Sequence, residues 1–442
     1  MSNQISRWRK KLYYTGVLLA ALLTLPACNV NQMVNDLLPL AGQSTQESLA
    51  DRIPLDETAE PTPNPTQSPT DFDVIKIWVE PQFDPNGEEQ NALMLKQYID
   101  SYSEVNPGIK ISVRIKESEG DHSLLNALSI TSQAAPDALP TLVLLSRHDI
   151  EIAARDGLIR PIDFFADVYD NNDWYPFAKE LGIVNNELVG IPFAADVLVL
   201  ASNAESLTQD YVSLQDARRE FGQIGIFLSE NKSLVPYLWY QSTGGKIIND
   251  TNHPIIEEAS LLQMFDILAE NQRAGPLPQF NTQFTSSDDL ETAIADGEID
   301  SVIVWTGDVS EDFGFTYIPA LGDSPYTYAD GWVWCLVQKP TTDLDLNIDF
   351  MQYLTTPEFL AAWTAESRYL PVRPSSINSL KSERAFLDNL LLSTDIVPPR
   401  VVLDDSQEIL TRELFSLLAG DTTPEIAVKN VLDSLDEVQQ SE

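Results

Sequence analysis

The sequence has 442 residues, with 67 Asp and Glu against 27 Lys and Arg, and a formal net charge of −40 at pH 7. A chain of this length needs more than one hydrophobic core, and so acidic a surface repels nucleic acid and anionic lipid headgroups. Two cysteines cannot build a disulfide framework, and three scattered histidines give no metal site. We therefore expect at least two domains, no cofactor or metal, and no nucleic-acid partner.

Residues 1–27 have the features of an export signal. A basic start precedes an apolar stretch, residues 12–25, that is too short for an ordinary transmembrane helix. The stretch runs into Leu-Pro-Ala-Cys, which resembles a bacterial lipobox, so Cys28 is the predicted lipidation site. An uncleaved anchor helix is the alternative. Residues 28–72 are rich in Pro, Thr, Gln and Ser, a composition that predicts a disordered tether.

From residue 74 onward, predicted strands alternate with predicted helices. Strands are expected at 74–79, 109–115 and 141–145, and an apolar stripe at Leu95, Ile99 and Tyr102 marks a helix between the first two. Further strands are expected at 190–203, 301–305 and 331–337, and one-sided leucine and valine stripes mark two C-terminal helices. This alternation is typical of βαβ units and predicts an α/β fold with mainly parallel sheets flanked by helices. Three tryptophans inside apolar runs are assigned to the core, as is the Cys335 thiol: Trp78, Trp334 and Trp363.

Asp196 interrupts the longest apolar run, residues 190–203. A buried carboxylate needs partners because leaving a charge unpaired in an apolar environment is very costly. Two interpretations follow from the pattern. Asp196 faces solvent where the strand leaves one domain, or it lines a cleft between two domains and accepts hydrogen bonds from a polar ligand.

Several short stretches, taken in order, resemble the extracellular solute-binding proteins of bacterial ABC importers, in particular the sugar-binding family that includes maltose-binding protein. The stretches are Ile75 to Trp78, Asn106 to Ile111, Asp156 to Ile159, Gly190 to Asp196 and Tyr369 to Arg373. The resemblance implies a two-lobe periplasmic-binding-protein-like fold of the class II type, with the ligand in the cleft between the lobes. It implies a first lobe of 73–195 plus 331–375, a second of 196–330 plus 376–442, and Asp196 at a crossover, which favours the cleft interpretation.

In an open α/β sheet, ligands bind beyond the carboxyl ends of the strands. Sugars present apolar C–H faces to aromatic rings and hydroxyls to carboxylates, amides and guanidinium groups. With the resemblance, these rules select the candidate ligand-binding residues, and no catalytic residue is assigned. The candidates are Glu80, Gln82, Ser146, Arg147, Asp196, Tyr237, Trp239, Trp305, Asp308 and Trp332.

The expected function is capture of a small solute by hinge closure, and the expected solute is a carbohydrate. The resemblance implies delivery to an ABC permease and its ATPase by a monomer that a lipid anchor holds on the outer face of the cytoplasmic membrane. Two alternatives stay open. One is a secreted carbohydrate-active enzyme, for which no carboxylate pair stands out. The other is a binder of a polyamine or a glycerol phosphate, and Arg147 beside the cleft is expected to disfavour a cation.

Overall fold

The structure is a computed structural model that describes the residues 73–162, 173–203, 214, 224–226, 232–249, 253–273, 287–309, 313–322, 324–339, 343–377 and 381–441. The predicted signal peptide, the lipidation site Cys28 and the predicted tether lie outside these residues. Within the described ranges, no helix is both long enough and apolar enough to cross a membrane.

The order of strands and helices follows the predicted alternation. The strands are β1 (Asp73–Val79), β2 (Ile109–Ile115), β3 (Leu142–Ser146), β4 (Ile183–Val184), β5 (Glu187–Leu188), β6 (Gly190–Asn203), β7 (Ile224–Ile226), β8 (Ser301–Trp305), β9 (Phe313–Thr316), β10 (Thr327–Leu336) and β11 (Thr394–Ile396). The α-helices are α1 (Gln90–Val105), α2 (Leu124–Ala134), α3 (Arg147–Arg155), α4 (Pro176–Leu181), α5 (Val235–Ser242), α6 (Glu258–Arg273), α7 (Ser287–Asp296), α8 (Leu344–Leu354), α9 (Pro357–Ala365), α10 (Lys381–Leu392), α11 (Arg400–Ala419) and α12 (Pro424–Ser441).

One sheet runs through the described part of the chain in the order β2-β1-β3-β10-β6-β8-β7, with β11 beside β10 and β9 beside β6. β1 is parallel to both β2 and β3, and β7 is parallel to β8. β6 and β10 are antiparallel to each other in the middle of this order. Parallel βαβ parts therefore lie at both ends of the sheet, joined through two long central strands, and the predicted α/β class is confirmed.

The periodicity of the sequence explains the first elements. β2 lies at the edge of the sheet, and its residues alternate between half-buried and exposed over most of its length, as strict apolar–polar alternation predicts. α1 buries Leu95, Ile99 and Tyr102, the predicted stripe. The Ser123 hydroxyl accepts the backbone N–H of Asn126 and caps α2.

β6 is the 14-residue strand that the apolar run predicts. Pro192 lies within it, opposite Val333 of β10, although a proline has no N–H for a central ladder. The register between the two strands shifts at this point, because Trp332 pairs with Ala194 and the next residue pairs with Pro192. The irregularity leaves Phe193 as an extra residue, so a β-bulge accommodates the proline.

Two hydrophobic cores pack against the sheet. The first contains Trp78, Trp334 and Trp363 together with the buried Cys335 thiol, as predicted. The second is built largely from α5, α6, α11 and α12. Alternate residues of β6 belong to different cores, since Val197 and Val199 lie in the first and Leu198 and Leu200 in the second. The two cores therefore meet at β6, and the lobe boundaries inferred from the resemblance remain a prediction.

Candidate functional site

Asp196 lies on β6 at the point where the strand leaves β10 and begins to pair with β8. Its Oδ1 accepts the Thr306 hydroxyl at 2.9 Å and the Gly307 backbone N–H at 2.8 Å. The pKa of this carboxyl is raised to about 7, chiefly by burial and also by the charges of Asp308 and Asp330, while both hydrogen bonds oppose the shift. Asp196 is thus a half-buried acid held by two donors and surrounded by other acids.

Gly307 makes room for this arrangement. A Cβ atom at position 307 would lie 2.9 Å from Asp196 Oδ2 and 3.1 Å from a ring carbon of Tyr369. Both distances are shorter than ordinary contacts, so a side chain here would displace the carboxylate or the ring. The 3₁₀ turn from Thr306 to Asp308 therefore brings backbone, carboxylate and aromatic ring together.

Glu80 follows the end of β1 and is 4% exposed. Its Oε2 accepts Gln82 Nε2 at 2.6 Å and Trp332 Nε1 at 3.1 Å. Burial raises the pKa of Glu80, the two hydrogen bonds oppose that shift, and the charge of Asp330 adds to it. Three of the sequence-predicted residues, Glu80, Gln82 and Trp332, are therefore joined directly.

An aromatic group connects Glu80 to Asp196. The Trp332 ring meets the Tyr369 ring edge to face at 4.8 Å between centroids, and Tyr369 stacks on Phe83 at 5.7 Å. Leu370, next to Tyr369, exchanges both backbone hydrogen bonds with Ala195, next to Asp196. Tyr369 belongs to one of the stretches that resemble the family, and it is not among the residues predicted to bind the ligand.

Two further acids were missed. Asp330 of β10 pairs in register with Asp196 of β6, and its Oδ1 accepts the backbone N–H groups of Gly331 at 2.7 Å and Arg147 at 3.4 Å. The pKa of Asp149 is raised to about 7, chiefly by burial and also by the charges of Glu80 and Asp330, while the charge of Arg400 opposes the shift. The tyrosine, the turn and these acids extend the set into what we call the crossover site: Glu80, Asp149, Asp196, Thr306, Gly307, Asp330, Trp332 and Tyr369.

Ser146 and Arg147 lie near the crossover site and serve the scaffold. The Ser146 hydroxyl accepts the Asp149 N–H and caps α3. The Arg147 guanidinium is buried, and its Nη1 donates to three carbonyl oxygens at the end of α4, of which that of Ile183 is nearest at 2.7 Å. Its Nη2 forms an ion pair with Glu151 at 3.1 Å. Arg147 is thus directed into the protein and is not available to a ligand.

The predicted aromatic platform of the second lobe is buried. Tyr237 is 0% exposed and Trp239 is 1% exposed, both on α5 in the second core. Trp239 Nε1 donates to the carbonyl oxygen of Pro319, and the Tyr237 hydroxyl bonds to Ser406. Neither ring offers a face to a ligand in this conformation, because both sides of α5 are packed; we leave these two residues out of the site.

Trp305 and Asp308 flank the crossover site. Trp305 ends β8, is half-buried and packs against the second core, while Asp308 is exposed at the end of the following 3₁₀ turn. Among the described residues, no group of three His, Cys, Asp or Glu side chains has a geometry that could hold a metal ion. The arrangement offers carboxylate oxygens and aromatic surface, which can accept hydrogen bonds and pack against an apolar face.

Comparison with known proteins gives a family and a set of related folds. Residues 97–385 match the model described as bacterial extracellular solute-binding protein, whereas no curated protein sequence matches. One similar structure is a cyclo/maltodextrin-binding protein complexed with maltotetraose, with 16% identity, a TM-score of 0.65, and coverage of 84% of this chain and 98% of that chain.

Two more structures show the range of these relatives. The sugar-binding protein MalE from the phytopathogen Xanthomonas citri has 14% identity, a TM-score of 0.65, and coverage of 83% of this chain and 98% of that chain. UgpB from Mycobacterium tuberculosis, in complex with glycerophosphocholine, has 16% identity, a TM-score of 0.59 and the same two coverages, 83% and 98%. These likenesses confirm the predicted fold class. Because the family match spans well over half of the sequence, the chain belongs to the bacterial extracellular solute-binding protein family.

Proposed function

We propose that this protein captures a small solute, a carbohydrate or a carbohydrate-like molecule, and delivers it to the permease and ATPase of an ABC importer. The observation that carries the proposal is a family match over residues 97–385 combined with a polar and aromatic site on the strand that links the two cores. Structures that share the fold include proteins described as binding maltotetraose and as sugar-binding. The protein breaks no bond in this role.

The crossover site supplies what a hydroxylated solute needs. Tyr369 is half-buried and Trp332 keeps 9% of its surface exposed, so Tyr369 supplies most of the aromatic surface for an apolar C–H face. The carboxylates of Glu80, Asp196 and Asp330 would accept hydrogen bonds from hydroxyl groups. Gln82 orients Glu80, while Trp305 and Asp308 border the site. The ligand would therefore touch residues from β1, β6, β8 and β10.

Closure of two lobes around the solute is the proposed mechanism. The lobes are 73–195 plus 331–375 and 196–330 plus 376–442, so Asp196 begins the second lobe at a crossover. A solute that contacts both lobes binds the closed state better than the open one and shifts the population toward it. The permease would then distinguish the loaded protein by its closed shape.

The proposed location is outside the cytoplasm, in keeping with an extracellular family. Cys28 would carry the lipid after removal of residues 1–27, and residues 28–72 would hold the folded body away from the membrane surface. We propose a monomer, since one chain contains the whole crossover site.

A melting screen with a panel of sugars, polyols, amines and glycerophosphodiesters tests the function. A solute at a hundred times its dissociation constant should stabilise the protein by about 2.7 kcal/mol. Asp196→Asn should reduce the shift, whereas Asp433→Asn, at an exposed position on α12, should leave it unchanged. A panel in which no solute shifts the melting temperature, or a shift that is equal in all three proteins, would contradict the proposal.

A further inference from the structure

We infer that the solute carries a protonated amino group, which binds between the carboxylates of the crossover site. This inference rests on the proposed function and narrows the class of solute. Amino sugars and aliphatic amines share this chemistry, and the experiment below distinguishes them.

Arg147, which the sequence predicted to lie beside the cleft, directs its guanidinium group away from the crossover site. Arg147 uses Nη1 for the carbonyl oxygens at the end of α4 and Nη2 for Glu151. Only its backbone N–H reaches the site, where it donates to Asp330. Arg400 lowers the pKa of Asp149 through its charge, and its side chain forms an ion pair with Asp404. Within the described residues, no Lys or Arg side chain forms an ion pair with Glu80, Asp149, Asp196 or Asp330.

Each of the four acids keeps an oxygen that accepts no hydrogen bond from the described residues. Both donors to Glu80 bind Oε2, and both donors to Asp196 bind Oδ1. The two donors to Asp330 also share Oδ1, and the Asp149 carboxylate accepts none. Glu80 keeps this second oxygen although it is only 4% exposed. None of these free oxygens is completely enclosed by protein atoms, so a donor group of a ligand can reach them.

The arrangement of charge favours an ammonium group over a hydroxyl group as the donor from the ligand. Asp196 and Asp330 are direct cross-strand partners, and like charges in such positions destabilise a sheet. A hydroxyl group can donate a hydrogen bond to a carboxylate but leaves the repulsion in place. An ammonium group donates up to three hydrogen bonds and also cancels charge. Trp332 and Tyr369 add aromatic faces, which attract cations.

Calorimetric titration with three matched trisaccharides tests the inference. The probes are the glucosamine trimer with free amino groups, its fully N-acetylated form, and maltotriose, with spermidine as an aliphatic amine. We expect the free-amine trimer or spermidine to bind at least about tenfold more tightly than either neutral sugar, as for a charge-assisted hydrogen bond. The tighter of the two amines identifies which source of the amino group the site takes.

Substitutions test whether the preference for an amine arises at the crossover site. Asp330→Asn keeps the shape of the side chain and should weaken binding of the preferred amine about tenfold to a hundredfold, with little change for the neutral sugars. Asp433→Asn, the exposed control on α12, should change neither. Equal or tighter binding of maltotriose or the acetylated trimer would overturn the inference and leave the proposed function standing. Failure of all four probes would contradict both, and amine binding that Asp330→Asn leaves intact would overturn the inference.

Discussion

At the level of single residues, Asp196 combines burial, two donors and neighbouring acids. Its pKa is raised to about 7, against 3.8 for an ordinary aspartate, chiefly by burial. The folded protein therefore holds this proton more tightly than the unfolded chain does. The contribution of Asp196 to stability is fully present below the unfolded pKa and is lost as pH rises through about 7.

Asp196→Asn should accordingly have a pH-dependent effect on the free energy of unfolding without ligand. The amide oxygen can still accept the Thr306 and Gly307 donors, and the variant carries no charge. We expect a gain of about 1–3 kcal/mol over the wild type above about pH 8, which shrinks toward zero at about pH 4. Denaturant titrations across this range provide the measurement. A gain independent of pH would show that the Asp196 carboxyl does not titrate as described.

Glu80, Gln82, Asp196 and Trp332 could be selected from the sequence, because they follow, interrupt or begin a recognisable apolar strand. It could not identify Asp330 as a partner of Asp196, since cross-strand register joins residues that are far apart in sequence. Tyr369 was missed for the same reason, because its place depends on the bridge between Leu370 and Ala195. Tyr237 and Trp239 were predicted to line the cleft but lie in the second core, because an aromatic cluster has the same sequence pattern in both locations.

Trp239→Ala tests that correction. Trp239 is buried as completely as Trp334, each with 1% exposure, so both substitutions should cost about 3–5 kcal/mol of stability in the protein without ligand. Trp305→Ala, at a half-buried position, should cost less. Thermal unfolding of the three variants gives the comparison. If Trp239→Ala melts like the wild type and loses solute binding, its ring lines the cleft after all.

At the level of helices and strands, Arg147 joins α3 to the end of α4. A helix leaves its last carbonyl groups without intrahelical partners, and a cation there satisfies them and the helix dipole. Arg147 donates to the carbonyl oxygens of Glu180 and Leu181, and its partner Glu151 accepts the backbone N–H of Arg400 at the start of α11. One buried side chain therefore supports three helices that surround the crossover site.

Arg147→Met should destabilise the protein by about 3–5 kcal/mol, because it leaves Glu151 and the carbonyl groups buried without their partner. The matched control is Arg155→Met on the same helix, where the side chain is 68% exposed and forms a surface ion pair. That change should have little effect on stability, because exposed ion pairs contribute little. Chemical denaturation of both variants provides the measurement. Equal losses would indicate that the hydrogen bonds of Arg147 add little to stability.

The strands were the most predictable elements. β1, β6, β8 and β10 follow from apolar runs, since a strand buried on both faces needs little polar alternation. The bulge around Pro192 was not predictable, because the sequence alone excludes proline from a central ladder and does not reveal a change of register. The bulge changes which residues of β6 lie opposite β10, and Asp330 comes to face Asp196 just beyond it.

At the level of the whole molecule, β6 links the two hydrophobic cores and carries Asp196 at the point of crossing. Length and alternating elements predicted an α/β protein with more than one core. Alternate residues of β6 face different cores, so the direction of each side chain decides to which core it belongs. Because Asp196 lies where β6 passes from one pairing partner to the other, a solute bound there would couple the two halves of the protein.

Native mass spectrometry tests the central claim, which is that one solute binds at the crossover site. The wild type, Asp196→Asn and the exposed control Asp433→Asn on α12 would each be equilibrated with the solute that gives the largest melting shift. We predict a one-to-one complex in the wild type and in Asp433→Asn, and a strongly reduced complex in Asp196→Asn. Equal occupancy in all three proteins, or several solute molecules bound to each chain, would contradict the account.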